Sequence, residues 1–203
     1  MTIERGAPWG RPVPRPDGLV TVEGDAALAT ALTTPGHAPV AVRAGDVARS
    51  LGVVGAGVPA TLNELPIDLL RVRLDDGVPF TACAHVVARS RWSRGHWWRG
   101  PILAVMNVQF IGDWDVAPRG HPNDGRFESF AVDPSMSVRL RVAARRRLRT
   151  ATHVPHPLIT VRSARSATWT FPDPLEVLAD GRRVGRARTI AVTTIADAAV
   201  VYA

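Results

Sequence analysis

The chain has 203 residues, 46% of them apolar and 21% charged, which suits one good-sized domain or two small ones and excludes disorder of the chain as a whole. Its 25 basic residues are all arginine and its formal net charge is +7, a balance that favours phosphate-bearing partners: a nucleotide, an anionic lipid surface or nucleic acid. A single cysteine, Cys83, excludes an internal disulfide, and no apolar run is long enough to span a membrane as a helix.

Residues 1–18 are rich in proline and glycine and read as an irregular arm. Glu4, Arg5 and Pro8 precede any apolar run, which argues against a signal peptide and for a cytoplasmic protein. "GLVTVEGDAALATAL" predicts a short strand, a turn and an Ala-rich helix. "APVAVRAGDVARSLGV" repeats that logic, with a strand over 39–42 and a short helix to about residue 51. Two strand–turn–helix units in succession predict a small parallel α/β piece, with Asp25 and Asp46 in the capping regions after Gly24 and Gly45. "GVVGAGVPAT" (52–61) reads as a linker.

Beyond it the texture changes. Alternation in "IDLLRVRL" (67–74) predicts a strand, closed by a "DDG" turn. Further strands are expected over 79–88, 101–111, 126–132, 157–162, 167–171, 175–179, 189–195 and 198–202, with an Asp-Gly hairpin in "LADGRRV". A helix is expected over 135–148, although "SVRLRV" also suits a strand. Many short strands of this kind predict an antiparallel sandwich or barrel. Cys83, inside "FTACAHVV", reads as a buried structural thiol rather than a nucleophile.

Between two apolar runs lies "GDWDVAPRGHPNDGRFESF" (112–130), where Asp113, Asp115, Asp124, His121, Arg119 and Arg126 fall close together. It is either a tight turn chosen for backbone geometry or a site. "RSRWSRGHWWRG" (89–100) sets Trp92, Trp97 and Trp98 among arginines, which suits a membrane or partner surface, or a hairpin whose tryptophans fold onto the sheet. Arg139, Arg141, Arg145, Arg146, Arg147 and Arg149 form either a solvated basic face or a contact for phosphate or anionic lipid. His153 and His156 lack cysteine partners and read as structural or as polar groups of a cleft, not as zinc ligands. No recognisable nucleic-acid-binding module accompanies the positive charge, which argues against nucleic acid as the partner.

Four stretches, in order, resemble the lipid-kinase family that includes bacterial diacylglycerol kinases and sphingosine kinases, with NAD kinases as more distant relatives. "GDVARSLGV" is similar to the tail of its "GTGNDFAR-x-LG" motif. "VMNVQFIGDWDVAPRGHPNDGRFESF" is similar to its strand, "aP-A-x-x-DG" turn and returning strand. "RTATHVPHPLITVRSARSATWTF" resembles its "G-x-H-x-x-H-P-x-V" segment, and "PLEVLADGRRVGRARTIAVTTIADAAVVY" its closing "DGE" hairpin and last strands. The resemblance covers residues 19–203 and is strongest from about residue 101. It implies an α+β fold. An irregular arm (1–18) leads into a shortened α/β nucleotide-binding-like piece (19–55), followed by a mainly antiparallel β-sandwich (56–203). The cleft between the two would hold ATP, Mg²⁺ and a lipid hydroxyl, since phosphoryl transfer is mostly positioning and charge neutralisation.

Carried over to this sequence, the resemblance places nucleotide binding at Gly24, Asp25, Gly45 and Asp46. It places a structural Mg²⁺ at Asp124, with His121 and Arg126 contributing backbone carbonyls. The departures are specific. The counterpart of "GGDGT" begins at Glu23, earlier than in the family, and reads "EGDAA": Glu23, Ala26 and Ala27 replace two glycines and a threonine. A carboxylate repels phosphate, and two Cβ atoms crowd the turn. "GTGND" is shortened to "RAGD". The proton-accepting glutamate of "DGE" is Arg182, which cannot act as a base at neutral pH and leaves Asp180 as the remaining candidate. These departures argue against ATP. They favour a catalytically impaired member that binds an anionic phosphate or lipid, with peripheral contact at the inner membrane face. Two alternatives stay open: an active ATP-dependent lipid kinase completed by a partner kinase subunit, and a non-catalytic homodimer or larger scaffold.

Overall fold

The structure, a computed structural model, describes residues 9–53 and 57–203. The readings that rest on Glu4, Arg5 and Pro8, and on residues 54–56 of the linker, lie outside the described residues. In chain order the elements are β1 (Arg11–Pro14), β2 (Val20–Glu23), α1 (Asp25–Thr33), β3 (Val40–Ala44), α2 (Asp46–Ser50), β4 (Thr61–Leu74), β5 (Phe80–Ala82) and β6 (His85–Arg89). There follow β7 (Ile102–Met106), β8 (Phe110–Ile111), β9 (Trp114–Asp115), β10 (Phe127–Val132), α3 (Val138–Arg147), β11 (Ile159–Ala164), β12 (Ser166–Ala179) and β13 (Arg182–Tyr202).

The fold is α+β. One continuous sheet runs β1-β4-β13-β12-β6-β7-β10-β11, almost wholly antiparallel. The parallel pair β2–β3 joins it through a parallel bridge between Ala41 and Tyr202. The sheet curls over on itself. Leu70 and Val72 on β4 share a core with Leu103 and Val105 on β7 and Phe127 on β10, strands well separated in sheet order. Phe127 is almost wholly buried there, and covering a side chain of that size stabilises by about 1.5–3 kcal/mol. A second core lies under the α/β piece, where Leu28, Ala29 and Leu32 of α1 meet Val40, Val42 and Ile67. Those helical positions fall on one face, as the Ala/Leu pattern predicts.

Several expectations change at the level of single elements. Residues 1–18 are not wholly irregular: Arg11–Pro14 pair with Thr61–Glu64. Prolines at 12 and 14 hid this strand, but they are tolerated because β1 is an edge. The stretch 79–88 is two strands, broken at Cys83–Ala84, and 101–111 is likewise divided into β7 and β8. The expected strands 167–171 and 175–179 are one strand, β12, with a register shift between Thr170 and Leu175 where Pro172 and Pro174 interrupt pairing. In the same way β13 absorbs 189–195 and 198–202, with a bulge between Ile195 and Ala199 and Asp197 at φ +50°. The 135–148 segment is helical: Ser137 caps α3 by accepting a hydrogen bond from the Leu140 N–H.

Candidate functional site

The aspartates that follow Gly24 and Gly45 meet at one point. Gly24 (φ +91°) and Gly45 (φ +100°) turn the chain from β2 into α1 and from β3 into α2. The Asp25 carboxylate accepts hydrogen bonds from the N–H of Asp46 (2.8 Å) and Val47 (2.9 Å), so it caps α2 rather than its own helix. A Cβ at residue 45 would lie 2.5 Å from Asp25 Oδ1, which is why that turn requires glycine. Burial pushes the Asp25 carboxyl up. The two N–H bonds oppose the rise and the charges of Asp46 and Asp180 add to it.

Asp46 is held from both sides. One oxygen accepts the Gly112 N–H at 2.7 Å, and the other lies 3.0 Å from His85 Nε2. His85 is buried at the head of β6. Burial opposes its charge, but the Asp46 contact and the charges of Asp180 and Asp25 outweigh it, and the histidine pKa rises. Asp180 sits at φ +50° in the β12–β13 turn, followed by Gly181 at φ +77°, as the Asp-Gly signal predicts. Its buried carboxylate accepts three backbone N–H groups: Cys83 (2.9 Å), Ala84 (2.8 Å) and His85 (3.1 Å). These bonds fix the break between β5 and β6. The Cys83 thiol donates to the Asp25 carbonyl at 3.2 Å, and burial with the charges of Asp180 and Asp25 pushes its pKa well above the usual thiol value. It is a structural thiol.

The structure thus gathers Asp25, Asp46 and Asp180 around His85. Ligand atoms of Asp25, Asp46 and His85 lie within 4.8 Å of one another, the one group of three or more His, Cys, Asp or Glu side chains so arranged among the described residues. Sequence reasoning missed His85. A histidine inside the apolar run "FTACAHVV" was the available signal. Beside this cluster an open groove of about 430 Å³ runs between α1 and the β12–β13 turn. Its walls include Ala26, Thr30 and Arg182, so the position where the resemblance places a glutamate presents a guanidinium.

His121, Asp124 and Arg126 lie apart from that cluster, on the turn before β10. His121 Nδ1 accepts the Asn123 N–H at 3.1 Å, and its ring meets Trp9 edge-on with centroids 4.4 Å apart. Asp124 accepts the Arg126 N–H at 2.9 Å, and Arg126 reaches the side chain and carbonyl of Ser163, each at 3.0 Å. Burial pushes the Asp124 carboxyl up, the Arg126 N–H opposes this, and the charge of Asp68 adds to it. The turn is anchored by Asp68, fully buried on β4, which accepts the Gly125 N–H (2.6 Å), the Asp197 N–H (2.9 Å) and the Asn123 amide (3.4 Å). Asp68 too went unrecognised in the sequence, being one polar residue in "PIDLL".

A second feature adjoins the cluster. The β8–β9 hairpin, tied to Asp46 through Gly112, carries Ile111 and Trp114 into an apolar pocket of about 130 Å³ beneath α3. Trp97 and Phe130 wall it, and Arg141, Arg145 and His153 reach it. The pocket is close in size to cavities that hold a benzene ring. Arg141 is buried and donates to four backbone carbonyls: Met136 (2.9 Å), Trp97 (3.2 Å), Gly100 (2.5 Å) and Asp133 (3.2 Å). It makes no ion pair among the described residues. Burial lowers its pKa, and the charge of Asp133 opposes this. Arg145 lies over Trp98 and Trp114, 5.6 and 5.3 Å from the ring centroids. Of the tryptophans read as folding onto a sheet, Trp97 does so, while Trp92 stands 80% exposed. His153 is buried at the pocket wall.

No protein-family model matches the sequence, and no curated protein matches it. Solved structures do. A candidate diacylglycerol kinase of Bacillus anthracis str. Sterne superposes with TM-score 0.64 at 12% identity, over 90% of this chain and 77% of its own. A second such structure from the same organism gives 0.62 at 14% over the same shares. A third, a diacylglycerol kinase also from Bacillus anthracis str. Sterne, gives 0.59 at 13%, over 90% of this chain and 75% of its own. At these identities the likeness is one of architecture: the chain has the fold of these diacylglycerol kinases.

Proposed function

We propose that this protein is a lipid-kinase-like binding protein: it takes up an anionic amphiphile and does not carry out phosphoryl transfer on its own. The observation that carries the reading is Arg141. A guanidinium buried without a carboxylate partner at the wall of an apolar pocket is costly unless an anion completes it. Four of its five N–H groups serve backbone carbonyls, and we assign the fifth, on Nη1, to a ligand oxygen. An amphiphile fits on both counts, with the start of an acyl chain against Trp97 and Phe130 and a phosphate or carboxylate at Arg141 and Arg145. The catalytic side of the reading follows from the cluster. Asp25 caps α2, Asp180 holds three N–H groups, Arg182 replaces a base, and Glu23 sits where a phosphate cradle needs glycine.

A second reading has one specific support. Asp25, Asp46 and His85 form a set suited to a divalent cation, and Asp124 keeps one carboxylate oxygen clear of its own turn. Mg²⁺ at either place would supply charge neutralisation for phosphate, and a partner subunit could then complete an ATP site for an active lipid kinase. Calorimetry with a short-chain lysophosphatidate and the matching uncharged monoacylglycerol tests the first reading. Wild type should bind the anion at least tenfold more tightly, and Ala144→Phe, which fills the pocket under α3, should abolish binding. Equal binding of the two lipids, or unchanged binding by the filled variant, overturns it.

A further inference from the structure

We infer that the outer face of α3, with the 91–99 loop beside it, is a docking surface for an anionic lipid bilayer. The inference goes beyond ligand uptake and rests on the proposed lipid reading for the nature of the partner. Its ground is the distribution of charge. The inward side of α3 carries Arg141 and Ala144 to the pocket, and the opposite side presents Arg139, Arg146 and Arg147 to solvent, followed by Arg149. The loop adds exposed Arg91 and Arg99. None of these six makes an ion pair among the described residues, in contrast to Arg94, which meets Asp173 at 2.7 Å. No acidic residue lies anywhere in 136–150 or 89–100. A solvated helix face of a folded domain ordinarily mixes both signs, which is not the case here.

Exposed apolar groups border this face, Val138 from the first turn of the helix. Trp92 is 80% exposed, and Val138 and Leu140 on α3 are 44% and 39% exposed. Arginine with tryptophan and aliphatic side chains is the composition that settles at a headgroup boundary: the charges meet phosphates while the apolar groups enter the acyl margin. A free anion or a nucleic acid accounts for the arginines but gives Trp92, Val138 and Leu140 nothing to cover them. The surface is also preformed. Arg141 bonds the carbonyls of Trp97 and Gly100 from beneath the helix, so loop and helix are held together before any lipid arrives.

Co-sedimentation of the full chain with phosphatidylcholine vesicles containing a minority of phosphatidylglycerol, against pure phosphatidylcholine, tests the inference. Each surface arginine contributes about fivefold to partition onto an anionic membrane. The triple variant Arg139→Ala, Arg146→Ala, Arg147→Ala should therefore bind about 10²-fold more weakly, with an unchanged circular dichroism spectrum. Trp92→Ala should weaken binding further, and added salt should release the wild type. Ala144→Phe should still dock, while the triple variant should still bind a monomeric short-chain lysophosphatidate, so failure of docking and failure of the pocket reading are separable. Wild-type binding that is absent, that is equal on neutral vesicles or that survives in the triple variant overturns the inference. So does tighter binding of an RNA oligonucleotide.

Discussion

Removing the Asp180 carboxylate separates a structural role from a catalytic one. In Asp180→Ala the N–H groups of Cys83, Ala84 and His85 lose their acceptor at once. A buried N–H without a partner costs about 1–3 kcal/mol, and alanine in the left-handed conformation at φ +50° adds about 1 kcal/mol. The open groove beside the turn lets water re-pair part of the loss, so the net expectation is about 3–5 kcal/mol. For a chain of this size that corresponds to a fall in Tm of about 6–20 °C. Asp180→Asn keeps one acceptor oxygen and tolerates the backbone conformation, and should lose only about 1–2 kcal/mol. Urea unfolding followed by circular dichroism and tryptophan fluorescence measures both, with coincident transitions as the two-state check. A loss below about 1 kcal/mol for Asp180→Ala would refute the reasoning, because the three bonds would then be contributing nothing net.

Other consequences follow from the same geometry. Gly45→Ala places a methyl group 2.5 Å from Asp25 Oδ1 at φ +100° and should cost at least about 2 kcal/mol by thermal unfolding, whereas a neutral outcome would mean that the Asp25 cap is loose. His85 has a pKa raised above the ordinary 6.5, so its contact with Asp46 stabilises fully below that value and is lost as pH rises through the folded-state pKa. Wild type and His85→Gln should therefore differ most in Tm at acidic pH and converge upward from pH 6.5; a gap that widens with pH contradicts this. Arg182→Glu, which installs the glutamate that the resemblance places there, should yield no lipid phosphorylation in a radiolabelled ATP assay, since Glu23, Ala26 and Ala27 remain. Robust turnover by that single variant would mean that the nucleotide turn is intact.

Much of the architecture was legible in the sequence because it is written in local signals. Gly24–Asp25 and Gly45–Asp46 follow apolar strands and precede helices, and Asp180–Gly181 is a hairpin signal. Other features depend on partners remote in sequence. The break at Cys83–Ala84 is imposed by Asp180, some 96–97 residues away, and nothing within "FTACAHVV" marks it. The strand Arg11–Pro14 exists only because β4 offers it an edge, and its prolines argue the other way. For the candidate site, Asp25, Asp46 and Asp180 were readable as neighbours only through the family resemblance. His85 and Asp68 were not readable at all, because one polar residue in an apolar strand does not reveal which loop it will hold. The 121–126 turn shows the limit most plainly. Its form follows from Asp68, on a strand more than fifty residues earlier, as much as from its own asparagine and glycine.

On the proposed reading, Asp25, Asp46 and Asp180 serve as structural anchors in place of a nucleotide site. Titration of Mg-ATP into the purified full chain by calorimetry tests it most directly. No binding heat is expected at millimolar ATP, with Tm unchanged by the nucleotide. Saturable binding in the micromolar range would overturn that reading and favour an active ATP-dependent enzyme.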